Sequence, residues 1–127
     1  MRKLLLLLMI LLAGTGMISF IGCSKTSKDR LAGNTPCDTT SVKYSTDVLP
    51  ILQDYCYSCH ANGNTAGSGG VSLEGYATAK AYADNGYLAG NVSHAPGYIG
   101  MPYGKPKLPD CEVNTIVAWV NQGAKDN

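Results

Sequence analysis

Hydrophobic positions fall into one unbroken block near the start of the chain and several helical rhythms further on. Residues 4–12 are continuously apolar, and residues 13–22 stay largely apolar but are seeded with Gly and Ser. Residues 24–36 are polar and show no periodicity. Val48, Leu49, Ile51, Leu52 and Tyr55 then follow a helical spacing that ends at Cys56. Ser45 or Thr46 can cap that helix, Asp47 suits its first turn, and Pro50 is close enough to the start to be tolerated. Residues 61–70 are rich in Asn, Gly, Ser and Thr and predict a loop. Residues 73–84, Ala-rich and closed by Asn85-Gly86, predict a short middle helix. Residues 87–108 carry Gly90, Pro96, Gly97, Gly100, Pro102, Gly104 and Pro106, which bars long regular structure. The clearest helix comes last. Val113, Ile116, Val117 and Val120 sit at i, i+3, i+4 and i+7, with Asp110 and Glu112 at its start and Gly123 after its end. No strand alternation, internal repeat or nucleotide-binding Gly motif interrupts this pattern, so the expected fold class is all-α.

A chain of 127 residues suits one domain. The formal charge is +1, and it becomes −1 once the leader's Arg2 and Lys3 are set aside. That balance argues against a nucleic-acid partner. Phe20 is the only Phe, and Met101 is the only Met beyond the leader. So small a domain has a thin core and needs covalent or cofactor reinforcement.

Arg2 and Lys3 followed by the apolar block read as a secretory signal over residues 1–22. Gly22 directly before Cys23 resembles a bacterial lipobox, with Cys23 as the lipidated residue after cleavage. An uncleaved anchor is the alternative, since residues 4–22 are just long enough to cross a bilayer. Either reading exports the protein to the bacterial cell envelope, held at a membrane and facing the periplasm or the cell surface. Residues 23–36 are expected to be a flexible tether, and residues 37–127 the folded domain.

The five cysteines are Cys23, Cys37, Cys56, Cys59 and Cys111. Lipidation of Cys23 leaves an even set. Cys56-Tyr57-Ser58-Cys59-His60 has the C-x-x-C-H spacing of covalent c-type haem attachment. Both thiols would form thioethers, and the next residue's imidazole would ligate the iron from below. A thioredoxin-like dithiol would follow a strand, whereas here a helix precedes the motif and a Gly-rich loop follows it. A zinc site from Cys56, Cys59, His60 and His94 would force two adjacent residues into one tetrahedron. Cys37 and Cys111 remain, and in an oxidising compartment they are expected to form a disulfide.

His60 would leave one axial position on the iron. Met101 and His94 are the candidates beyond the leader. Met101 lies off any helical stripe and precedes Pro102, which favours an extended, rigid conformation. It is the expected distal ligand, with His94 expected at the surface.

The C-x-x-C-H segment, Met101-Pro102, Leu108-Pro109-Asp110, the run Ile116-Val117-Ala118-Trp119-Val120 and Gly123-Ala124 together resemble small single-haem cytochrome c domains of bacterial lipoproteins and planctomycete-type cytochromes. The resemblance runs from Tyr44 to about Lys125. It implies a small helical cytochrome c-like fold around one haem c, with iron between His60 and Met101. The loop after His60 lacks the Gly-Pro-x-Leu type of segment found in mitochondrial-like members, so the sequence assigns no acceptor to the second ring nitrogen of His60. With both axial positions filled there is no room for a small-molecule substrate. The expected function is therefore single-electron transfer between redox protein partners, not enzymatic catalysis. The alternative is a haem-based sensor or peroxidase-type accessory subunit with an open sixth position. Leu52, Leu88, Tyr98, Tyr103, Leu108 and Trp119 are candidates for packing around the haem. Lys105 and Lys107 could steer an acidic partner or simply aid solubility.

Overall fold

The structure, a computed structural model, describes residues 37–127. The expected signal segment, the expected lipidation site Cys23 and the expected tether lie outside the described residues. All regular structure among the described residues is helical, with no strand.

The chain enters through a single π-helical turn, Tyr44–Val48, which leads directly into α1, Leu49–Tyr55. Neither Ser45 nor Thr46 provides the expected cap. The turn begins at Tyr44, with Lys43 before it, two or three residues earlier than those caps would place it, and the Asp47 carboxylate instead accepts the Lys43 N–H at 2.9 Å. Ser45 Oγ turns away and donates to the Asn127 carbonyl at 2.7 Å. Pro50 falls within the first two positions of α1, where its fixed φ is compatible with the helix. A one-turn helix, α2, Tyr57–His60, carries the motif.

The middle helix, α3, spans Tyr76–Asp84 and starts later than Leu73. Gly75, at φ 90°, separates it from the segment before, and Leu73 instead donates its N–H to the His60 carbonyl at 2.8 Å. A further short helix, α4, Tyr87–Val92, occupies the region expected to be irregular. The last helix, α5, is Asp110–Asn121, with both acidic residues in its first turn as expected. It closes in a Schellman-type turn. Gly123 at φ 91° donates to Val120 O at 3.0 Å, and Ala124 donates to Trp119 O at 2.9 Å.

One core joins these elements. Val48, Leu52, Ile116 and Trp119 are fully enclosed, flanked by Ile51, Leu88, Leu108 and Val113. Trp119 stands in for the missing Phe residues. Its ring centroid lies 5.4 Å from that of Tyr44 and 6.5 Å from that of Tyr76, and its indole N–H donates to Lys125 O at 3.0 Å. The C-terminal tail stitches the domain shut. Asn127 accepts from the Tyr44 and Ser45 backbone, Gln122 pairs with Val42 and Thr39, and Tyr76 OH donates to Ala124 O. Cys37 and Cys111 lie at disulfide distance, with Cα atoms 5.5 Å apart, tying the domain's first described residue to the start of α5. Among the described residues no helix is long and apolar enough to cross a membrane.

Candidate functional site

The motif sits at the joint between α1 and α2. Cys56 ends α1, and its carbonyl accepts both the Cys59 N–H at 3.0 Å and the His60 N–H at 2.8 Å. That tight turn brings Cys56, Cys59 and His60 together on one short segment. Asn64 Nδ2 donates to the Ser58 carbonyl, bracing the turn from outside. The two thiols are free but differently placed, Cys56 half-buried and Cys59 exposed. Burial, reinforced by the nearby Cys59, pushes the Cys56 thiol up to about 11, so it is protonated at neutral pH.

His60 is held from two sides. Its carbonyl accepts the Leu73 N–H at 2.8 Å and the Ser72 hydroxyl at 3.4 Å. Its ring Nδ1 lies 3.0 Å from the Val71 carbonyl. A carbonyl can only accept, so the proton in this pair sits on Nδ1 and the Nε2 lone pair is left open. Val71 O also accepts the Ser68 hydroxyl at 2.8 Å, and the same returning segment sends Glu74 Oε2 to the Asn62 N–H at 2.6 Å. The loop of residues 61–75 thus folds back over the motif and fixes the imidazole. No side-chain pattern announces Val71, because its contribution is a main-chain carbonyl that every residue type possesses.

Met101 and His94 form a second hydrogen-bonded group, on the loop that follows α4. Met101 donates its N–H to Asn91 O at 3.0 Å, and His94 Nε2 lies 3.0 Å from the Met101 carbonyl, to which it donates. Met101 is half-buried, while His94 is exposed, as expected. Among the described residues no three His, Cys, Asp or Glu side chains are arranged to hold a metal ion, so the tetrahedral set considered for zinc is not assembled.

Of the six packing candidates, Leu52, Leu88, Leu108 and Trp119 belong to the protein core. Tyr98 and Tyr103 are 39% and 80% exposed, and with Tyr87 and Ile99 they make up the large hydrophobic side chains left in solvent among the described residues. Lys107 makes a loose, exposed ion pair with Asp110 at 3.9 Å.

No protein-family model, curated protein sequence or solved structure matches the chain.

Proposed function

We propose that the protein is a membrane-tethered electron carrier of the cytochrome c type, with one haem c attached at Cys56 and Cys59 and ligated by His60 and Met101. The observation that carries this reading is the Nδ1 contact of His60 with Val71 O. A main-chain acceptor on one ring nitrogen orients the imidazole, fixes its tautomer and raises the basicity of the other, which is how ligating histidines are ordinarily supported. The donor set fits the group: two free thiols at the attachment spacing, an open imidazole Nε2, and a thioether on a backbone pinned by two hydrogen bonds.

When bound, the haem supplies one-electron cycling between ferrous and ferric iron. The protein's own residues do the rest. Cys56 and Cys59 would hold the porphyrin through thioethers, and Val71 and Leu73 fix the ring and the backbone of His60, which keeps its imidazole aimed. Met101 provides a soft donor that favours the ferrous state and raises the potential relative to two imidazoles. With His60 and Met101 both serving as ligands, the group would have no position for substrate, which would suit transfer between redox protein partners. Cys23, lipidated, would provide the tether at the membrane.

A reduced-minus-oxidised spectrum of the exported protein tests the ligand set. The ferric protein should show the red-edge band of sulfur on iron, and the ferrous protein should resist carbon monoxide. Met101→Ala should abolish the band, lower the potential and admit carbon monoxide. Ready binding of carbon monoxide by the unaltered protein would favour the sensor or peroxidase-type alternative.

A further inference from the structure

We propose that His94 is a positioning residue for Met101, fixing the backbone from which the thioether reaches the iron. The proposal rests on the haem reading above, and it concerns a residue that the reading leaves without a role.

The local geometry is unusual for a histidine. α4 ends in a Schellman-type turn in which His94 N–H donates to Asn91 O at 3.2 Å and Ala95 N–H donates to Gly90 O at 3.0 Å. His94 therefore occupies the position after the C-cap that glycine normally fills, and it does so at φ 54°. Left-handed backbone is costly for a residue with a Cβ. Eight glycines of the described chain adopt positive φ, Gly123 among them at the equivalent turn of α5, so glycine is the chain's usual solution.

The imidazole gives the reason for the exception. Its Nε2 donates to Met101 O at 3.0 Å, while Asn91 O receives the Met101 N–H at 3.0 Å. Both main-chain polar groups of Met101 are thus tied to the end of α4, one by the helix backbone and one by His94. The ring also lies flush against Gly100, where an added Cβ would come within 3.0 Å of Nδ1. A glycine at position 94 would satisfy the turn but leave the Met101 carbonyl untied. The thioether would then leave from a looser backbone, and a competing ligand would displace it more easily.

Two variants of the haem-loaded protein separate this role from general support of the fold. His94→Gly removes the ring and suits the left-handed turn, so resistance to denaturant should stay level or rise. Its ferric form should bind cyanide in place of the thioether about fivefold more tightly, the equilibrium equivalent of one ordinary hydrogen bond. His94→Gln restores an N–H at similar reach and should return cyanide affinity towards the unaltered value, despite its less favourable φ. Unchanged cyanide affinity in His94→Gly, or an affinity in His94→Gln equal to that of His94→Gly, would overturn the role of His94. An unaltered protein that carries haem but lacks the ferric sulfur band would overturn the Met101 ligation beneath it, and the two failures are distinguishable.

Discussion

A buried tyrosine hydroxyl and a histidine ring nitrogen illustrate how single polar atoms are handled in this domain. His60 Nδ1 finds Val71 O at 3.0 Å, whereas the hydroxyls of Tyr44 and Tyr57 are buried beside each other without a well-formed hydrogen bond. Burial, together with the neighbouring Tyr57, pushes Tyr44 up to about 12. Because its pKa is raised on folding, the folded state holds a proton that the unfolded chain releases. The associated stability is complete below about pH 10 and is lost as pH rises through 12. Tyr44→Phe should therefore flatten the loss of denaturant resistance between pH 10 and 12. At pH 7 its effect should stay within about 1 kcal/mol of neutral, since it deletes a buried hydroxyl whose contact with Tyr57 is not a well-formed hydrogen bond. A steeper alkaline loss in Tyr44→Phe would contradict this assignment. At this scale Cys56, Cys59, His60, Met101 and His94 were all legible as candidates from residue type and spacing. Their partners Val71 and Asn91 were not, because each acts through a main-chain carbonyl that carries no signature.

At the scale of elements, α1 and α5 are legible in the sequence because each presents an apolar stripe to the core, about two turns long in α1 and more than three in α5. The Ala-rich composition predicts a start for α3 at residue 73, three residues before the observed one, because Gly75 imposes a positive φ that composition alone does not reveal. α4 was hidden by its own Gly90 and by the Gly and Pro residues that follow it. Gly90 is there for space: an added Cβ would lie 2.6 Å from Tyr98 Cγ, near the root of the side chain where the ring cannot simply swing aside. Tyr98 in turn meets Tyr87 edge-on, with centroids 6.0 Å apart. Gly90→Ala has better helix propensity yet should cost about 1–3 kcal/mol through overpacking. Denaturant titration checks the sign. A gain in stability would mean that Tyr98 does not pack on α4 as described.

Across the whole molecule, closure depends on ties between its two ends. Gln122 and Asn127 reach back to residues 39–45, and Cys37 meets Cys111 at disulfide distance. The disulfide was legible by elimination among five cysteines. The aromatic cluster of Tyr44, Tyr76 and Trp119 was not, since its members are far apart in sequence and only the fold brings them together. Trp119, a candidate for packing on the haem, is already fully enclosed within that cluster. Cross-linking residues 74 apart should contribute up to about 4.5 kcal/mol in the chain-entropy description. Cys37→Ser with Cys111→Ser should lower the denaturation midpoint substantially while leaving the absorption spectrum of the folded protein unchanged, because neither residue belongs to the proposed ligand set.

The central claim is tested most directly by the intact mass of the protein, isolated from cells able to export it and attach haem, after denaturation and extraction of anything not covalently held. The account predicts a mass above that of polypeptide and lipid by one haem, a pyridine spectrum of the two-thioether type, and loss of the added mass in Cys56→Ala with Cys59→Ala. A colourless protein whose mass is that of polypeptide and lipid alone would contradict it.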